Sequence, residues 1–129
     1  MPGGLLNIIR NKHTAIIDFN KITTRRLGNW IAVPVKCNDK RLEIISLCRT
    51  PELSKSDRHC SSLSQHNLIN AKARSTSECR KEIFDDIKKH VTNNGDTNNI
   101  IIVADCNQNT REKEVKRFHN DIGAKEIYP

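Results

Sequence analysis

An acidic residue and a carboxamide stand two residues apart directly after the most apolar stretch of the chain. Asp105 and Asn107 follow the run Ile100-Ile101-Ile102-Val103-Ala104. Because side chains alternate along a strand, positions 105 and 107 are expected to project to the same side. An Asp can orient or deprotonate a water molecule and a carboxamide can hold a phosphate oxygen, so the pair predicts metal-assisted phosphodiester hydrolysis. The alternative is an ordinary strand-end turn, in which Asp and Asn are common.

The first third of the chain predicts antiparallel strands. Four short apolar or β-branched runs lie there, at 5–9, 14–19, 30–35 and 42–47. The first two are separated by four polar residues, which suits a hairpin. The other two flank the turn residues Asn38-Asp39-Lys40 and predict a second hairpin. Pro34 lacks an amide donor and therefore indicates an edge or a bulge in its strand.

A long polar segment and then a helix are predicted next. Residues 49–76 are polar and serine-rich, and they are longer than most connections in a compact domain, so they predict a loop that is either functional or disordered. Ser75 and Glu78 have the spacing of a capping box. The apolar residues that follow fall on one helical face. They are Cys79, Ile83, Phe84, Ile87 and Val91.

The apolar run at 100–104 is too short for a helix and lacks polar alternation, so it predicts a central strand covered on both faces. A second helix is predicted over about 110–122, with Gly123 placed to end it. Its apolar face carries Val115, Phe118 and Ile122. A last strand is predicted near 125–128. The order strands, helix, strand, helix, strand predicts an α/β fold with a mixed sheet and flanking helices.

Length and charge narrow the classes of protein to consider. The chain has 129 residues, enough for one domain. Lys and Arg number 22 against 15 acidic residues, a net charge of +7 that attracts polyanions. No apolar run approaches the roughly 20 residues of a membrane span, and no secretory signal pattern begins the chain. With five widely spaced cysteines, which fit reduced thiols, we expect an intracellular protein that is not secreted, with the nucleus as a candidate compartment.

Four segments taken in order carry a resemblance to a known family. They are Gly3-Gly4 with the run after it, the stretch 42–51 (Leu-Glu-Ile-Ile-Ser-Leu-Cys-Arg-Thr-Pro), the helical stretch 79–84, and the stretch 100–107, which ends in Ala-Asp-Cys-Asn. The second is similar to the family's I-I-S-x-Y-x-x-P strand and the fourth to its apolar strand ending in G-D-F-N. Together they resemble the endonuclease/exonuclease/phosphatase superfamily, whose fold is DNase I-like, and particularly the endonuclease domains of non-LTR retrotransposons. The resemblance implies a partial DNase I-like α/β sandwich and Mg²⁺-dependent hydrolysis of DNA.

The resemblance also implies roles for individual residues. Asp105 corresponds to the acid that activates the attacking water, and Asn107 to the amide that steadies the phosphate. Cys48 stands where the family has an active-site Tyr, and a thiol is a weaker donor than that hydroxyl. By the family's order the Glu that holds Mg²⁺ would precede Gly3 and the closing Asp-His pair would follow Pro129. No metal ligand is identifiable, so residues 1–129 are expected to form a single incomplete domain that is catalytically impaired alone.

Basic residues are the remaining candidates for a functional surface. Those that resemble groove-lining phosphate contacts of the family are Arg25, Arg26, Arg80 and Lys81. The alternative is scattered solubilising charge, since exposed Lys and Arg are normal at protein surfaces. Two functions therefore stay open: a fragment of a retrotransposon-type endonuclease that acts on DNA, and a non-catalytic basic domain that binds nucleic acid or a partner.

Overall fold

The computed structural model describes residues 7–10, 15–24, 29–38, 40–49, 76–94, 99–107 and 112–125. In these ranges the strands are β1 (Thr23–Thr24), β2 (Trp30–Cys37), β3 (Lys40–Cys48) and β4 (Ile100–Asp105). The α-helices are α1 (Thr76–Asn93) and α2 (Lys113–Asp121), and a short 3-10 helix spans Phe19–Lys21. The predicted α/β class, a mixed sheet with flanking helices, is thereby confirmed.

The four strands form one sheet in the order β1-β2-β3-β4. The pairs β1/β2 and β2/β3 are antiparallel, and β3/β4 is parallel. Cys37 pairs with Lys40, so only two residues connect β2 to β3. The first of them, Asn38, has a φ of 54°, the left-handed conformation that Asn tolerates and that tight hairpin turns require. The predicted second hairpin is confirmed.

Pro34 lies inside β2 at a position where its missing amide costs no ladder hydrogen bond. β1 pairs only with Ile31 and Ala32 and ends before it reaches Pro34. The Pro34 carbonyl accepts a hydrogen bond of 3.2 Å from the Asp18 N–H, on the side of β2 away from β3. In an antiparallel strand the N and O atoms of a residue point the same way. The proline nitrogen therefore points away from β3, toward the side where β1 does not reach it. The edge prediction is wrong for β2, which lies between β1 and β3, but the missing amide costs no ladder hydrogen bond.

Both helices pack on one face of the sheet and build the core there. The residues of this helix-side core cluster are Trp30, Ala32, Ile45, Leu47, Ile83, Phe84, Ile87, Val91, Val115 and Phe118. Four of the five apolar positions predicted for the first helix are among them, and the side chain of the fifth, Cys79, lies outside the described residues. The rings of Phe84 and Phe118 stack with centroids 4.3 Å apart and join α1 to α2.

Helix α2 ends as its sequence predicts. Gly123 has a φ of 64° and its N–H donates to the Asn120 carbonyl, while the Ala124 N–H donates to the His119 carbonyl. This left-handed closure satisfies the last carbonyls of the helix. The helix begins at Lys113 in the described residues, whereas the prediction begins near 110. Residues 110 and 111 of the prediction lie outside the described residues.

The prediction that 100–104 forms a central, doubly covered strand is wrong for the described part of the chain. β4 is the last strand of the sheet there, and only its Ile100 and Ile102 pack against the helix-side core. On the other face Ile101 is 47% exposed and Val103 60%. An uninterrupted apolar run shows that both faces of a strand are apolar. It does not show that other elements of the fold cover both faces.

The first predicted hairpin is also wrong within the described residues. Residues 7–10 form no strand, and Ile17 makes a single isolated bridge to Val35. Short β-branched runs favour extended backbone but do not select a partner, and here the partner of 15–24 is β2, through Ile17 and β1. β1 itself was not predicted, because two residues carry no periodicity. The loop at 50–75, its capping residue Ser75 and the last strand at 126–128 lie outside the described residues.

Candidate active site

The site lies where the two parallel strands end. Cys48 at the end of β3 is the register partner of Asp105 at the end of β4. Because β3 and β4 are parallel, both chain ends emerge at the same edge of the sheet. Leu47 and Ile102 face the helices, so by strand alternation Cys48 and Asp105 face the other way. The parallel register therefore brings two predicted site positions together on the face of the sheet away from the helices. This face is exposed along β4, at Ile101 and Val103, and is called the open face below.

Asn107 completes the cluster through a turn rather than through strand alternation. The Asn107 N–H donates to Asp105 Oδ1 at 3.1 Å, and Asn107 has a φ of 46°. Its Nδ2 donates to the Arg49 carbonyl at 2.6 Å. The expected alternation from 105 to 107 is wrong because β4 ends at Asp105. The Asp105 carboxylate is nevertheless bonded to the backbone of Asn107, in the strand-end turn that the sequence offered as the alternative.

Arg49 is the residue of this site that the sequence analysis missed. Its N–H donates to the Asp105 carbonyl at 2.8 Å. Its guanidinium is buried, with Nη2 at 2.7 Å from Glu114 Oε2 and Nε donating to the Arg80 carbonyl at 3.2 Å. The guanidinium carbon also lies 4.3 Å from the centre of the Phe84 ring. An arginine after an apolar strand looks like a surface cation, and no local signal in the sequence predicts its burial.

The thiol of Cys48 is held in its neutral form. Partial burial raises the pKa of Cys48, and the negative charge of Asp105 raises it further. The thiolate is the reactive form of cysteine, so this environment opposes nucleophilic chemistry at Cys48. Asp105, in contrast, is exposed to solvent. The arrangement favours Asp105 as the group that can bind a water molecule, with Cys48 as a weak donor beside it.

A second polar pair lies on the same side of the sheet, in a part of that face that is covered, since Val33 is 4% exposed. Ser46, two residues before Cys48, donates from Oγ to Asn7 Oδ1 at 2.9 Å. The Nδ2 of Asn7 is buried and has no hydrogen-bond partner among the described residues. This contact places residues 7–10 near β3 without a backbone ladder. Asn7 was not singled out from the sequence, because a single Asn within an apolar run carries no spacing signal.

The described residues do not fit a magnesium ion on their own. Mg²⁺ requires near-octahedral oxygen coordination and usually takes one or two carboxylates together with waters and substrate phosphates. Asp105 brings one carboxylate, and one of its oxygens accepts the Asn107 N–H. The carboxylate of Glu114 is paired with Arg49 on the helix side of the sheet. No group of three or more His, Cys, Asp or Glu residues that could hold a metal occurs in the described ranges.

The predicted phosphate contacts are not gathered at this site. Arg25 and Arg26 lie outside the described residues. Arg80 is 4% exposed, so its prediction as a surface phosphate contact is wrong: it precedes Ile83 and Phe84 by one helical turn and shares their buried face. Lys81 is exposed and lines a groove of about 470 Å³ between α1 and α2. This groove lies on the helix side of the sheet, away from the face that carries Asp105.

Comparisons with known proteins find similarity in the path of the backbone and nothing more. No family model matches the sequence, and no curated protein matches it. A beta hairpin deletion mutant of beta toxin from Staphylococcus aureus aligns at TM-score 0.48 and 16% identity over 77% of this chain and 31% of that one. Another crystal structure of this toxin aligns at TM-score 0.42 and 12% identity over 77% and 30%. This chain thus spans about a third of the length of the beta-toxin chains that it matches, and the alignments assign it no activity.

Of the helices that the structure describes, none is both long and apolar enough to cross a lipid bilayer.

Proposed function

We propose that this chain is the middle part of a Mg²⁺-dependent endonuclease domain that cleaves phosphodiester bonds in DNA, of the non-LTR retrotransposon type, and that it is catalytically impaired alone. The observation that carries the proposal is the parallel register of Cys48 with Asp105. The register brings together one residue from each of two separate segments, 42–51 and 100–107. These are two of the segments that resemble the endonuclease/exonuclease/phosphatase superfamily. A chance resemblance gives no reason for these two residues to meet.

The residues of this chain have distinct parts in the proposed site. Asp105, exposed at the strand end, orients a water molecule and accepts its proton. The nitrogen of a carboxamide carries two hydrogens, so the bond from Asn107 to Arg49 leaves one for a phosphate oxygen. Cys48 contributes little, because its neutral thiol replaces the stronger hydroxyl donor of the family's Tyr.

Impairment follows from the poor fit of these residues to a magnesium ion. Mg²⁺ would neutralise the charge that grows on the phosphoryl oxygens and lower the pKa of the attacking water. Loss of a single positioned donor typically costs about 10²- to 10³-fold in rate, and loss of the metal should cost more. We therefore expect the lone chain to bind DNA without cleaving it. An intracellular location, with the nucleus as a candidate compartment, belongs to the same proposal.

A non-catalytic basic domain is the second candidate function. The net charge of +7 favours it. The helix groove is also lined by Asp85, Glu114 and Asp121, and it presents three exposed cations beside them. These cations are Lys81, Lys113 and Arg117. In this alternative, DNA or an acidic partner meets the helices, and Asp105 lies far from the bound phosphates.

A binding experiment separates the two candidates. Fluorescence anisotropy with a short labelled duplex at about 0.1 M ionic strength compares the full chain with Asp105→Asn and with Asp85→Asn, a matched loss of one exposed carboxylate in the helix groove. Two unit charges about 4 Å apart interact by about 1 kcal/mol in water, or about fivefold in affinity. At this ionic strength the Debye length is about 10 Å, so charges farther apart than that are largely screened. If phosphate sits at the proposed site, Asp105→Asn tightens binding several-fold and Asp85→Asn changes it little.

The opposite pattern would overturn the proposal. Tighter binding by Asp85→Asn with no change in Asp105→Asn would place DNA on the helix groove and favour the non-catalytic domain. Absence of binding at this ionic strength would remove DNA as a partner altogether.

A supercoiled-plasmid nicking assay in Mg²⁺ tests the impairment separately. We expect no more nicking from the chain than from its Asp105→Ala variant, with circular dichroism showing that both are folded. Nicking that disappears in Asp105→Ala would mean that the chain is active and that metal ligands lie elsewhere in it.

A further inference from the structure

We propose that Arg49 is a positioning residue of the candidate active site, which holds Asp105 and Asn107 in place through its backbone while Glu114 and α1 hold its side chain. The role of the site rests on the proposed function. The contacts that connect Arg49 to it rest on the structure alone.

The backbone of Arg49 contacts both candidate catalytic residues. Its N–H donates to the Asp105 carbonyl at 2.8 Å, and its carbonyl accepts from Asn107 Nδ2 at 2.6 Å. Hydrogen bonds weaken steeply when the donor and acceptor separate or lose alignment. A displacement of Arg49 by about an ångström would therefore release the Asn107 carboxamide and loosen the end of β4 together.

Partners on both helices fix the side chain of Arg49. Its side chain is 1% exposed, and Nη2 lies 2.7 Å from Glu114 Oε2 on α2. On α1, Nε donates to the Arg80 carbonyl and the guanidinium lies over the Phe84 ring. A buried charge is tolerated only when it is paired and hydrogen-bonded, so these partners determine where the guanidinium can sit.

Glu114 makes this arrangement accessible to experiment. Its side chain is 39% exposed, so replacing it changes the partner of Arg49 without opening a hole in the core. Glu114→Gln keeps the shape of the side chain and removes the charge that pairs with the guanidinium. Asp85→Asn is the matched control, because it removes one carboxylate from the same groove without removing a partner of Arg49.

The readout is the side-chain amide signal of Asn107 in ¹H–¹⁵N spectra of the full chain. The short bond to the Arg49 carbonyl is expected to shift one Asn107 amide proton downfield and to slow its exchange with water. Glu114→Gln should reduce that shift and accelerate the exchange, and Asp85→Asn should leave both unchanged. Glu114→Asp keeps the charge on a shorter side chain, so its Asn107 signals should lie between those of the parent chain and those of Glu114→Gln. A general loss of packing would instead move signals throughout the core.

Unchanged Asn107 signals in Glu114→Gln would overturn the proposal, and so would equal changes in Asp85→Asn. If Glu114→Gln fails to fold, Glu114→Asp alone tests the proposal. A positioning role then requires a partial change in the Asn107 signals, and unchanged Asn107 signals contradict it. Since the measurement uses neither DNA nor catalysis, its failure is distinguishable from failure of the proposed function.

Discussion

Replacing Ile45 by Ala is expected to destabilise the protein several times more than replacing Ile101 by Ala. The two isoleucines lie in neighbouring strands on opposite faces of the sheet. Ile45 is fully buried against the helices, whereas Ile101 is 47% exposed. Truncating a buried Ile to Ala costs about 2–5 kcal/mol, because transfer free energy is lost and a cavity remains. Full burial of such a side chain is worth about 1.5–3 kcal/mol. Half of that, with no cavity, predicts about 0.7–1.5 kcal/mol for Ile101→Ala.

Urea unfolding followed by circular dichroism at 25 °C measures both losses. The free energy of unfolding is obtained by linear extrapolation, and an unchanged m-value shows that the two variants unfold from a similar native state. The control is the parent chain at several protein concentrations, which detects any self-association that covers the open face.

Equal losses for the two variants would refute the reasoning. If Ile101→Ala cost more than about 2 kcal/mol, the face that carries Ile101 and Asp105 would be covered in solution, since a side chain half in water cannot lose that much. The site would then be less accessible than its geometry indicates.

Two other predictions concern single residues. Gly123→Ala should lower the free energy of unfolding by about 1–2 kcal/mol. The cause is left-handed backbone strain alone, because no atom lies within 4 Å of the added Cβ. A negligible loss in the same urea assay would contradict the left-handed conformation at the end of α2. Asp105→Asn should speed alkylation of Cys48 by iodoacetamide at pH 8. Removal of the negative charge lowers the pKa of the thiol and raises the thiolate fraction, although burial still keeps that pKa above its ordinary value. Peptide-resolved mass spectrometry measures the rate, and a rate equal to that of the parent or of Asp85→Asn would show that Asp105 does not act on the thiol.

The parts of the fold that were predicted correctly depend on local signals. The β2/β3 hairpin follows from two extended runs around a turn at Asn38, and α1 follows from the helical spacing of Ile83, Phe84, Ile87 and Val91. The end of α2 at Gly123 follows from one residue that accepts a positive φ. Each of these features is determined by residues within a few positions of one another, which is why sequence patterns predict them.

The remaining features depend on partners that are distant in the sequence. The open face of β4 depends on which elements cover the sheet, and the run at 100–104 does not contain that information. The burial of Arg49 depends on Glu114 and on the helix that presents the Arg80 carbonyl. For the site, the family resemblance implied that Asp105 and position 48 belong together. The turn that orients Asn107 follows from the end of β4, and the sequence offered it only as the alternative to strand alternation.

The parallel pair that carries the site also sets when the site forms during folding. β2 and β3 are joined by two residues, whereas Cys48 and Asp105 pair across a long stretch of chain that includes α1. Loop-closure entropy grows with the logarithm of the closed length, so the hairpin can form early and the docking of β4 comes late. A partly folded chain that already contains the hairpin and α1 therefore has no assembled site. Local opening at β4 would dismantle the site while most of the secondary structure persists.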